Sequence, residues 1–168
     1  MARISFARLT EVPLADVVDL LNEPRNVRHM PLSSTVDDQS AGAWVRAKDA
    51  QWDRHGYGPW AVLVDGSFAG WGGFQHEDGG ADFALVLLPA YWGHGAEVTR
   101  AALRRAFTEL GLDEVVIALP YSRSPERVVA RFGFVPDGEV VHDGTSFRRY
   151  RLTAEAWSAA RASSTTSP

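Results

Sequence analysis

Two rhythms of apolar and polar residues run along this chain. Alternation over residues 3–9, Arg-Ile-Ser-Phe-Ala-Arg-Leu, predicts a first strand. After Pro13, the residues Leu14, Val17, Val18 and Leu21 recur at helical spacing, so a helix is expected over 13–22. A polar, irregular stretch from Asn22 to Thr35 separates it from a second helix over 37–55, whose start is favoured by Asp37 and Asp38. Apolar runs near 59–65 and 68–75 read as strands, with Asp65-Gly66 as the hairpin turn between them. Asp78-Gly79-Gly80 then leads into a strand over 81–88, where the unbroken apolar run from Phe83 to Leu88 suits burial on both faces. A helix over 96–111, a strand over 114–119, a helix over 124–132, and a hairpin over 134–141 and 146–152 turned by Asp143-Gly144 follow. A short helical piece over 154–161 ends the pattern. No linker interrupts it, so residues 1–162 are expected to form one α/β domain and 163–168 a disordered Ser/Thr tail.

Candidate chemistry concentrates where the apolar strand runs through Pro89-Ala-Tyr-Trp-Gly-His-Gly95 into an amphipathic, arginine-bearing helix. Glycines let backbone N–H groups converge on a ligand, and a helix start adds unpaired donors and the positive end of its dipole, so a phosphate or pyrophosphate is the natural guest. Glycine is also the ordinary residue of any tight strand-to-helix turn, and that reading stays open. The segment Ser122-Arg-Ser-Pro-Glu-Arg-Val-Val-Ala-Arg-Phe-Gly-Phe134 adds a second helix with a Phe-Gly-Phe exit into another strand.

Together these segments resemble the Gcn5-related N-acetyltransferase (GNAT) superfamily, and most of all the branch of ribosomal-protein and small-molecule N-acetyltransferases. Pro89 to Gly95 matches that branch's Pro-x-Tyr-Trp-Gly-x-Gly loop. Gly56-Tyr-Gly-Pro-Trp60, Gly70-Trp-Gly-Gly-Phe-Gln75 and Leu110-Gly-Leu-Asp-Glu-Val-Val116 fit as well, so the resemblance covers most of residues 3–153. It implies an α/β (α+β) GNAT fold, a mixed sheet of six to seven strands with about four helices, and acetyl-CoA as acetyl donor. Carried through the loop without a gap, the pattern puts Glu97 where a Gly or Ala normally lets the pyrophosphate approach. Aligned instead by the helix itself, with Thr99, Leu103, Phe107 and Leu110 as the buried stripe, the loop is about two residues short.

The resemblance also implies roles. Asp82 is the candidate base for the acceptor amine, and a backbone N–H near Leu87 or Leu88 is the candidate oxyanion donor. Trp92, Gly93, His94, Gly95 and Ala96 form the candidate pyrophosphate cradle, with Arg100 one helical turn further on. Ser122, where relatives have an asparagine against the pantetheine arm, and Tyr121 are candidates near the thiol; each also reads as a helix cap or packing residue. Where many relatives place a tyrosine as proton donor, this chain has Val129, and Pro125 replaces a serine. His29, Ser33 and Trp71 are candidates for the acceptor cleft; His29 and Ser33 read just as well as ordinary polar surface residues, and Trp71 reads first as core. A binding module of the same fold that has lost catalysis is the alternative, and a nucleotide-binding domain of another fold a third.

Composition narrows this further. With 168 residues and 45% hydrophobic content the chain can bury a sizeable core, and the absence of cysteine excludes a disulfide frame or a thiolate nucleophile. The five histidines lack metal-site spacing, so no metal is expected. A net charge of −4 with scattered basic residues argues against nucleic-acid binding, and no run approaches the ~20 apolar residues of a membrane span. A cytoplasmic protein acting on a small-molecule or peptide amine is the expectation, with a homodimer left open.

Overall fold

The computed structural model describes residues 1–27 and 35–165. Hydrogen bonding links seven strands in the order β1-β2-β3-β4-β5-β7-β6. These are β1 (Ile4–Ala7), β2 (Pro59–Val64), β3 (Ser67–Glu77), β4 (Gly80–Leu87), β5 (Glu114–Pro120), β6 (Val135–His142) and β7 (Thr145–Thr153). The sheet is mixed, with β4 and β5 parallel and registered at Asp82 opposite Val116, while β1–β2, β2–β3, β5–β7 and β6–β7 are antiparallel. The helices are α1 (Leu14–Leu21), α2 (Pro24–Val27), α3 (Asp38–Asp49), α4 (Gln51–His55), α5 (Gly95–Thr108), α6 (Glu126–Phe132) and α7 (Ala154–Thr165). None of them is long and apolar enough to cross a membrane.

Local chemistry accounts for most boundaries. Both hairpin turns use Asp-Gly with positive φ at each residue, +50° and +83° at Asp65-Gly66 and +48° and +78° at Asp143-Gly144, the geometry that matches the twist of the flanking strands. The Asp37 carboxylate caps α3 by accepting the Ser40 N–H at 2.7 Å, and that bond holds its pKa below the ordinary range. The helix expected over 37–55 is divided between α3 and α4. At the division, Arg8 forms an ion pair with the Asp49 carboxylate at 2.8 Å and also donates to the Asp49 carbonyl, which competes for an acceptor the helix ladder would use. Part of the stretch expected to be irregular is helical as α2, and α7 continues past the expected 161 to Thr165.

The chain forms two compact units. The first comprises residues 1–75 and 84–102, the second 76–83 and 103–168. Within the first, side chains of β4 alternate between two apolar clusters, as a period of two requires. Ala84 and Val86, with Leu88 just beyond the strand, pack with Leu9, Val17, Leu20, Val45, Ala61 and Trp71. Leu85 and Leu87 pack with Val62, Val64, Ala69 and Val98. The expected helix stripe is only partly right: Thr99 and Leu103 are buried, but with Val98, Ala102 and Ala106, while Phe107 and Leu110 are half-buried. Within the second unit the core holds Val115, Ile117, Leu119, Tyr150, Leu152 and Trp157, with Phe132 and Phe134 buried on either side of Gly133.

Candidate active site

β4 and the segment after it carry the candidate donor-binding chemistry of the first unit. Pro89–His94 winds as a 3₁₀ helix straight into α5, so the glycine segment after β4 is a helical turn. Gly95 is the first residue of α5, with φ −54° and ψ −43°, and its N–H donates to the Trp92 carbonyl. Neither Gly93 nor Gly95 uses a left-handed conformation, and a Cβ added to either would meet nothing within 4 Å. The space beside both residues is open. Ala96 and Glu97 occupy the first turn of α5, and Arg100 is exposed one turn on.

Glu97 has a partner within this segment. His94 Nδ1 lies 3.3 Å from Glu97 Oε1, so the imidazole expected on the phosphate side is bound to the carboxylate expected to repel phosphate. The peptide between Leu87 and Leu88 is fixed from both sides. Its carbonyl accepts from Asn26 Nδ2 at 3.1 Å and from the indole N–H of Trp92 at 2.9 Å, while the Leu88 N–H donates to the Ala69 carbonyl at 2.8 Å. Of the two amides expected to bind an oxyanion, that of Leu88 is therefore already engaged. Trp92 itself is half-exposed, held by its indole nitrogen.

Trp71 belongs to the core. It is 5% exposed, meets Trp44 edge-on at 5.3 Å and has the Lys48 ammonium 5.1 Å from its ring centre. Among the described residues its buried indole nitrogen has no hydrogen-bond acceptor. Trp71 packs among Leu9, Val17 and Val45. His29 and Ser33 lie outside the described residues.

Asp82 belongs to the second unit, where it lines a cavity of about 210 Å³. Glu77 and Asp78 bring two further carboxylates, His142 and Arg149 bring nitrogen donors, and Val116, Ala118, Val140 and Val141 form the apolar wall. Arg149 is anchored by Asp137, its Nε 3.0 Å from Oδ2. Asp137 also accepts from Arg151 at 2.8 Å, and that hydrogen bond first, then the charges of both arginines, holds its pKa below the ordinary carboxylate range. Tyr121 is exposed just beyond β5, and its hydroxyl donates to Glu139 while its ring lies under Arg148 at 4.8 Å. Ser122, also exposed, does not cap a helix, since α6 starts at Glu126 after Pro125 with no side-chain cap.

The acetyltransferase (GNAT) domain model matches residues 3–135. The chain belongs to the GNAT acetyltransferase family. Solved structures share its fold. An acetyltransferase from Agrobacterium tumefaciens is 21% identical, with 89% of this chain and 90% of that one covered at a TM-score of 0.70. A GNAT-family acetyltransferase from Bacillus anthracis is 15% identical, covering 92% and 99% at 0.69. The yncA protein of Salmonella typhimurium, solved with its cofactor acetyl-CoA, is 20% identical, covering 91% and 94% at 0.61.

Within this GNAT chain, several neighbours of the candidate residues were not anticipated from sequence. Glu77 and Asp78 sit beside the Gly79-Gly80 turn and look like solvated turn residues until the sheet places them on the Asp82 cavity. Nothing local marks Asn26, whose partner is 61 residues away. His142 and Arg149 come from a hairpin whose alternation predicts strands but not which face meets Asp82.

Proposed function

We propose that this GNAT chain transfers the acetyl group of acetyl-CoA to the amine of a small molecule or to a peptide N-terminal amine. The observation that carries the proposal is the cavity that sets Asp82 beside Glu77 and Asp78. A carboxylate-rich cavity favours an amine that arrives as its ammonium form and must then lose a proton. In this reading Asp82 takes that proton, the amine nitrogen bonds to the acetyl carbonyl carbon, and the carbon–sulfur bond breaks. CoA leaves as a thiolate that water protonates, since the Tyr121 hydroxyl is already committed to Glu139. The turn from Trp92 to Ala96, with Arg100, holds the pyrophosphate in the open space beside Gly93 and Gly95. Ser122 borders the pantetheine arm. The net charge of −4 offers no attraction to nucleic acid, and a cysteine-free chain suits the cytoplasm.

A second reading, a GNAT-fold module without catalysis, is favoured by one observation: the N–H groups of Gly95 and Leu88 are both spent within the protein. Calorimetry with acetyl-CoA, followed by thiol release across a panel of primary amines, separates the two. Binding with amine-dependent release of CoA is expected. No heat of binding at millimolar acetyl-CoA would overturn the enzyme reading.

A further inference from the structure

β4 ends in a peptide whose orientation is decided by three separate parts of the first unit. The Leu87 carbonyl has two lone pairs, and both are occupied: one accepts from Asn26 on α2, the other from Trp92 in the 3₁₀ turn. The amide on the other side of the same peptide is tied to Ala69 on β3. Pro89 follows at once, so the plane of this peptide sets the direction in which the turn from Pro89 to Gly95 departs. Leu87 is 6% exposed, and a carbonyl that lost one partner there could not readily replace it with water.

Asn26 is therefore bonded, through one shared acceptor, to the residue that opens the candidate pyrophosphate cradle. Its helix is held in turn by a second asparagine. Asn22 Nδ2 donates to the Val36 carbonyl at 2.8 Å, and the Val36 N–H donates back to Asn22 Oδ1 at 2.7 Å. That reciprocal pair ties Asn22, two residues before α2, to Val36. We infer that Asn26 is a positioning residue for acetyl-CoA binding: through the Leu87 carbonyl it fixes Trp92 and the turn that receives the pyrophosphate, although it lies on an element that does not contribute to that turn.

This inference rests on the acetyl-CoA reading above, and a double-mutant cycle tests it. The dissociation constant of acetyl-CoA is measured by calorimetry for the wild type, Asn26→Ala, Trp92→Phe and the double variant, each at a temperature where circular dichroism shows it fully folded. Trp92→Phe keeps an aromatic ring, though a smaller one, and removes the donor. Either hydrogen bond alone still orients the peptide, so each single variant should bind about threefold more weakly, and the double variant about tenfold more weakly than the product of the two losses. Asn26→Leu, which keeps roughly the size and removes the donor without adding a charge, should match Asn26→Ala. Wild-type binding with Asn26→Ala unchanged, or with losses that simply multiply, overturns the inference and leaves the acetyl-CoA reading intact. Failure of the wild type itself to bind overturns both.

Discussion

Replacing Gly95 with aspartate should move stability and function in opposite directions. Gly95 has ordinary right-handed helical angles and open space at its missing Cβ, so Gly95→Asp enters without a steric penalty. It also places a carboxylate in the first turn of α5, where the helix dipole contributes about 0.3–1 kcal/mol of stabilisation. For a chain of this size that is roughly 1–4 °C of melting midpoint. Acetyl-CoA would meet the same charge as repulsion. A carboxylate about 6 Å from a phosphate, at an effective dielectric constant of about 20–40, costs roughly 1.4–2.8 kcal/mol, a factor of about 10–100 in affinity. Calorimetry at low ionic strength reads the affinity and circular dichroism reads the midpoint. In about 1 M salt, where the Debye length falls to about 3 Å, most of the difference from wild type should disappear. A folded variant that binds acetyl-CoA as tightly as wild type would refute the placement of the pyrophosphate over this turn.

Other outcomes follow from the same geometry. Asp82→Asn should lower amine acetylation by about 10²–10⁴-fold near neutral pH and by less as pH rises toward the amine's own pKa; an equal loss at every pH would assign Asp82 a structural role. Gly70→Ala would set a Cβ 2.1 Å from the Val86 carbonyl oxygen and 2.8 Å from Leu87 Cα, so it should cost about 1–3 kcal/mol, and a midpoint within about 1 °C of wild type would contradict that. Asp137→Asn tests a pH window. Because Arg151 and Arg149 depress the Asp137 pKa, its contribution is present above the unfolded carboxylate value of about 3.9 and is lost as pH falls through the folded one. The variant should melt below wild type at pH 7 and converge with it in strong acid, whereas a gap that persists there would show that packing, not charge, holds the hairpin.

What the chain's own order of residues determined is what neighbours can encode. Alternation and helical spacing announced the seven strands and the main helices, and Asp-Gly pairs announced two hairpin turns, because backbone preference and side-chain period act over a few residues. The motif from Pro89 to Gly95 was legible for the same reason, as was the Phe132-Gly-Phe134 exit with its two buried rings. Tertiary structure decided the rest. The Leu87 carbonyl at the entry to the helical turn Pro89–Gly95 accepts from Asn26, which no local pattern connects to it. Trp71 is legible as apolar, but only the tertiary structure brings it against Leu9, Val17 and Val45. Likewise, Asp82 acquires its acidic surroundings because the sheet carries Glu77, Asp78, His142 and Arg149 onto one cavity. Contacts across tens of residues depend on strand order and register, and these are settled by the burial of whole faces rather than by any residue alone.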